Sequence, residues 1–146
     1  MREFKGRVIV PGICSGKVLA TKTGFNILAG YNSYLSGTID TCICSDINNK
    51  ELFGKPLEGK ILCMLQTIGS TSTGFVLQSL AVRDVHPKAM LIARKADSLV
   101  LAGVILAEIW EGKSIITIDQ LGDEFINTVK NEDTVEITAD GTVRIL

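Results

Sequence analysis

The sequence predicts a mixed α/β fold, with a parallel core of alternating strands and helices joined to a β-rich antiparallel layer. Three observations carry that expectation. Between residues 59 and 118, short apolar runs that suit buried strands alternate with segments of helical periodicity. Residues 132–138 alternate apolar and polar with period two, and Asp140-Gly141 behind them is a strong hairpin signal. Near the start, residues 6–10 and 16–20 read as extended segments around the turn Pro11-Gly12.

Taken in order, residues 6–10 (GRVIV) predict the first strand, and residues 16–20 resume an extended path. Residues 31–60 scatter Asn, Asp, Ser and Gly with little regular signal, so they read as a long loop region containing one short extended piece, residues 37–40. Residues 59–65 (GKILCML) form an almost continuous apolar run after a glycine, the pattern of a strand buried on both faces. Residues 75–81 place Val76, Leu77 and Leu80 at helical spacing, and Val85-His86-Pro87 ends that helix. Residues 89–93 predict a second buried strand, 98–110 a helix despite Gly103, and 113–118 a third strand. Residues 122–130 read as a short helix or turn. The closing hairpin, 132–138 and 142–146, is expected to lie beside the N-terminal strands.

A chain of 146 residues suits one domain with one core, so residues 1–146 are read as a single domain. Hydrophobic residues make up 46% and charged residues 21%, the opposite of a disordered chain. Fifteen Lys and Arg stand against sixteen Asp and Glu with no dense basic patch, which argues against nucleic-acid binding. No apolar run is long enough to cross a bilayer, and no signal core follows the first residues. The reading is a cytoplasmic protein whose four cysteines, Cys14, Cys42, Cys44 and Cys63, are thiols. With aromatics at only 5%, the apolar excess suggests surface reserved for a partner.

The sharpest local feature is Gly69-Ser70-Thr71-Ser72-Thr73-Gly74, between a predicted strand and a predicted helix. Free N–H groups at a helix start favour an anion, and glycine lets a ligand approach the backbone. Ser70 is therefore the candidate catalytic residue, and Gly69, Thr71 and Ser72 are candidate substrate-binding residues. The competing reading is ordinary helix capping by Ser and Thr. The string lacks the lysine of a phosphate-binding P-loop. His86 is the only histidine, so a Ser-His-Asp site contained in this chain has little support. Cys42-Ile43-Cys44 is one close pair, too few for a structural zinc site, so no metal site is assigned within the chain, although Cys14 or Cys42 contributing to a shared site stays open. Trp110 reads as core or interface. Arg83 and Arg94 are cations that nothing singles out.

The ordered series of segments resembles the small subunit, or swivel domain, of the aconitase X family. The matching pieces are residues 12–19 (GICSGKVL), 37–40 (GTID), 52–62 (LFGKPLEGKIL), 69–72 (GSTS), 86–92 (HPKAMLI), 97–105 (DSLVLAGVI) and 140–143 (DGTV). The resemblance runs from about residue 6 to residue 146. It implies a swivelling β/β/α fold like the small domain of aconitase. It also implies a hydro-lyase (dehydratase) that is active only as a heterodimer with an aconitase X-type large subunit. Family members act on cis-3-hydroxy-L-proline or on 5-phosphomevalonate, and the expectation here leans to cis-3-hydroxy-L-proline. A non-catalytic binding or scaffold domain of the same fold is the third reading. An iron centre, mononuclear or iron–sulfur, is implied, held mainly by the large subunit. The family's proton-accepting serine falls on Ser70. One departure stands out: Ile68 precedes Gly69, where the family often carries an arginine able to hold an anion bidentately.

Overall fold

Three parallel strands, each with residues buried on both faces, run through residues 61–119. The computed structural model describes residues 1–146. The strands in chain order are β1 (Arg2–Lys5), β2 (Arg7–Val10), β3 (Cys14–Phe25), β4 (Ile61–Thr67), β5 (Ala89–Ile92), β6 (Ile116–Asp119), β7 (Thr134–Ile137) and β8 (Thr142–Ile145). The helices are α1 (Ile27–Leu35), α2 (Thr73–Val82), α3 (Ser98–Glu111) and α4 (Asp123–Thr128). None is long and apolar enough to cross a membrane.

The strands follow the order β1-β8-β7-β3-β4-β5-β6-β2. β3 belongs to two sheets. Its first part, Cys14 to Lys17, pairs antiparallel with β7, and from Val18 onward it pairs parallel with β4. β4, β5 and β6 continue the parallel set, and β2 closes it antiparallel against β6. β1 and β2 stand at opposite ends of this order, yet only Gly6 separates them in the chain. At Gly6 the backbone crosses from one sheet to the other. Its N–H donates to the Gly141 carbonyl at 3.2 Å, and a Cβ there would fall 2.4 Å from the Asp119 carbonyl oxygen. That close approach is why this position takes glycine.

The period of two in each parallel strand sends alternate residues to two cores. Ile61, Cys63, Ala89, Leu91, Ile116 and Ile118 face the antiparallel sheet, where they meet Val135, Ile137 and Val143. Leu62, Met64, Met90 and Ile92 face the helices, where they meet Val76, Leu77, Leu80, Val100 and Val104. The result is a β/β/α stack. α4 plugs the end of the β/β core with Phe125, edge-on to Phe4 at 5.3 Å between ring centroids. α2 and α3 pack at Gly74 and Gly103: a Cβ on Gly103 would lie 2.9 Å from the Gly74 Cα. Gly103 therefore sits inside a helix because the neighbouring helix needs the space.

Three expectations change. The loop expected over residues 31–60 gives up residues 31–35 to a helix, 27–35, begun by Asn26, whose Oδ1 accepts the Ala29 N–H at 3.0 Å. The scattered Asn, Ser and Gly hid a helix whose buried stripe is only Ile27, Gly30 and Tyr31. The N-terminal strand is also preceded by another, β1, which pairs with β8. Residues 37–40 form no strand. The closing hairpin does lie beside the N-terminal strands, with β8 on β1 and β7 on β3.

Candidate functional site

Parallel strands point their carboxyl ends the same way, so the helices that follow begin at one edge of the sheet. Here the starts of α1, α2 and α3 gather beyond the ends of β3, β4 and β5. Such an edge collects unpaired N–H groups and is where ligands bind in open α/β sheets. The loop from β4 to α2 carries Gly69 to Ser72 there.

Its conformation is unusual. Gly69 has φ 71° and Ser70 has φ 55°, two successive left-handed residues. For a non-glycine residue this costs about 1–2 kcal/mol, so the surroundings must hold it. On one side the turn between β3 and α1 does so. The Phe25 carbonyl accepts the Ile68 N–H at 3.1 Å, Ile68 packs over Gly24, and the Asn26 carboxamide lies where a Gly69 Cβ would be, 2.7 Å from its Nδ2. On the other side Thr73 Oγ1 donates to the Ser70 carbonyl at 3.0 Å. Ser70 Oγ itself accepts the Ser72 N–H at 3.0 Å. The loop is also tied to α3: Thr67 Oγ1 donates to Asp97 Oδ2 at 2.8 Å, while Asp97 Oδ1 caps α3 by accepting the Leu99 and Val100 N–H groups, each at 2.9 Å.

The capping reading of this string fits only partly. Ser72 occupies the N-cap position but makes no side-chain cap bond. The N–H groups of Thr71, Gly74 and Phe75 find no acceptor in the chain. An oxyanion near Ser70 would thus meet donors already in place. Around the loop, apolar side chains stand in solvent: Ile68 is 45% exposed, Phe75 70% and Leu99 37%. Arg94, just beyond β5, faces Asp123 at 3.4 Å, and Lys95 beside it is exposed without a carboxylate partner.

The other sequence candidates lie elsewhere. His86 precedes β5, at the opposite edge from Ser70, and its Nδ1 pairs with the Pro87 carbonyl at 2.9 Å. The whole of α2 intervenes, a rise of about 15 Å for ten residues. No Ser-His-Asp arrangement forms. Cys14 opens β3 and so also lies at the far edge, beside Lys88. Cys63 is buried in β4, and burial drives its thiol far above the ordinary range. Cys42 and Cys44 are buried beside Tyr31 under α1. Burial, followed by the Glu58 carboxylate, pushes Cys42 up to about 11. No group of three His, Cys, Asp or Glu side chains could hold a metal ion. The residues of this chain therefore do not fit an iron centre. Arg83 stacks its guanidinium over Tyr34 at 5.6 Å, and Trp110 is 66% exposed rather than core.

Asn26, Thr67 and Asp97 were not singled out from the sequence. Asn26 carried a readable signal, an N-cap type directly before Ile27-Leu28-Ala29. The Thr67–Asp97 link joins residues thirty apart and has no local signature.

Comparison with known proteins bears on this edge. The family model for the aconitase X swivel domain matches residues 3–145. A phosphomevalonate dehydratase small subunit from Methanocella arvoryzae is 30% identical over 144 residues, 99% of this chain and 97% of the relative. A cis-3-hydroxy-L-proline dehydratase from Hypocrea jecorina is 32% identical over 113 residues, 77% of this chain but 18% of the relative. In structure, a chain of the Thermococcus kodakaraensis aconitase X crystal structure (holo-form) superposes with TM-score 0.83 and 26% identity, covering 100% of this chain and 99% of that one. The chain belongs to the aconitase X swivel-domain family.

Proposed function

We propose that this member of the aconitase X swivel-domain family is the small subunit of a two-subunit hydro-lyase that dehydrates 5-phosphomevalonate, with Ser70 as proton acceptor. The observation that carries the reading is the near-complete, end-to-end match to a phosphomevalonate dehydratase small subunit. The match to the hydroxyproline enzyme covers a small part of a much longer protein. The substrate expected from the sequence, cis-3-hydroxy-L-proline, is the second reading.

Water loss from a β-hydroxy acid breaks one C–H bond beside the carboxylate and one C–O bond on the next carbon, and a C=C bond forms between them. Ser70 Oγ takes the proton, the C–H electron pair becomes the new π bond, and the hydroxyl leaves with the C–O electron pair as hydroxide, which with that proton makes up the water lost. A serine oxygen is a base only when its deprotonated form is stabilised. The Ser72 N–H already donates to it, and the unpartnered N–H groups at the start of α2 add a favourable field. Gly69, Thr71 and Ser72 frame the substrate's anionic part. The large subunit covers the apolar rim of Ile68, Phe75 and Leu99 and carries the iron centre that the family implies. In this reading residues 1–146 form one swivel-type domain acting in the cytoplasm, where its four thiols stay reduced.

The test is to co-express the chain with its large subunit, restore iron, and assay both substrates. Loss of water from 5-phosphomevalonate is the expected result. Turnover of cis-3-hydroxy-L-proline alone would install the second reading. A stable complex active on neither would overturn both.

A further inference from the structure

We infer that Asn26 is a substrate-contacting residue, its carboxamide N–H₂ donating to the carboxylate beside the carbon that Ser70 deprotonates. The inference rests on the functional reading above and adds to it a residue whose sequence signal marks only a helix cap.

Four observations converge on Asn26. First, its amide orientation is fixed: Oδ1 accepts the Ala29 N–H at 3.0 Å, so Nδ2 must be the end that faces Gly69. Second, that Nδ2 has no acceptor within the chain, although it sits against the loop that carries Ser70. Third, the contact is close enough to exclude a side chain at position 69, because a Cβ there would lie 2.7 Å from Nδ2. A ligand approaching Gly69 from its Cβ side therefore meets this donor. Fourth, Asn26 stands on the rim of a cavity of about 380 Å³ lined by Leu28, Asn32, Ser45, Asp46 and Asn48. The Asp46 carboxylate within it is 6% exposed and repels an anion from that side. The carboxylate of a substrate is thereby directed away from Asp46 and toward Asn26, the rim residue that also touches the Gly69 loop.

Asn26 also compensates for a charge this chain lacks. Ile68 packs over Gly24 where the resembling sequences often place arginine, so it supplies no donor. The Asn26 amide is the neutral donor left at that position of the edge.

The test uses the complex of the full chain with its large subunit. Asn26→Asp keeps an oxygen to cap α1, since Asp and Asn are equivalent N-caps, but replaces the free N–H₂ with a charged acceptor. Asn26→Ser keeps a cap and removes the donor by shortening the side chain. Both variants are expected to assemble and to melt within a few degrees of the wild type. KM for 5-phosphomevalonate is expected to rise about 10- to 100-fold, the size of a lost hydrogen bond to a charged group, with the larger rise for Asn26→Asp and a smaller change in kcat. A purely capping role would leave KM of the uncharged Asn26→Ser unchanged. KM within twofold of wild type for both variants would overturn the inference while leaving the functional reading intact. A wild-type complex without turnover would overturn the functional reading and this inference with it.

Discussion

The two edges of the parallel sheet are built from the same strands, show apolar side chains to solvent alike, and differ in how their polar groups are satisfied. At the amino edge polar groups are paired within the chain: Lys88 Nζ donates to the Ser15 carbonyl at 2.8 Å, the Lys88 N–H to the Lys60 carbonyl, and His86 closes on Pro87. At the carboxyl edge Gly69 and Ser70 are two successive left-handed residues, and the N–H groups of Thr71, Gly74 and Phe75 lack acceptors. An edge that satisfies itself serves stability. An edge left unsatisfied at a local cost of free energy is waiting for a ligand or a partner.

Four experiments sharpen or break that contrast. The largest expected effect is catalytic. Ser70→Ala in the assembled complex is expected to lower kcat by about 10³-fold, in the range for losing a general base, while His86→Gln at the other edge stays within twofold. Equal losses would erase the distinction. Next comes the support beneath the carboxyl edge. Leu77→Ala removes a fully buried side chain between α2 and the sheet and is expected to cost about 2–5 kcal/mol, read as a lowered midpoint in urea. Gly103→Val should cost about 1–3 kcal/mol by forcing α2 and α3 apart.

Thiol labelling compares the edges and the cores without mutation. Cys14, half-buried, is expected to react first in the native protein at pH 8, whereas Cys42, held near 11 by burial, and Cys63 react only on unfolding. Prompt labelling of Cys63 would contradict the two-sided burial of β4. The smallest effect belongs to Asp140 in the closing turn. Hydrogen bonds from Thr138 and then Thr142 hold its carboxyl below the ordinary carboxylate range. A lowered folded-state value means the stabilisation is present above the unfolded value of about 3.9 and is lost as pH falls through the folded one. Asp140→Asn should therefore lower the melting temperature slightly at pH 7, with the difference vanishing in strong acid.

Much of this was legible in the residues, for physical reasons that can be named. The runs 61–65 and 89–93 are apolar at every position because each strand faces two cores, and that pattern needs no tertiary knowledge to read. Asp140-Gly141 announced its hairpin because the turn geometry is local. α1 escaped notice because its buried stripe is narrow and includes Gly30, which is glycine to admit the Phe25 ring. β1 escaped because its short, mostly exposed strand is defined by pairing with β8, more than a hundred residues away. At the site, Gly69 and Ser70 stood out by composition. Their left-handed backbone and the grip of Asn26 are products of the β3–α1 turn packing against them, which only the fold brings together.

The most direct test of a functional carboxyl edge is amide hydrogen exchange of this chain, alone and in complex with its large subunit. Exchange is expected to slow at least tenfold across residues 68–75 and 97–100 on assembly, with residues 84–89 unchanged. Protection confined to 84–89, with 68–75 exchanging as in the free chain, would contradict it.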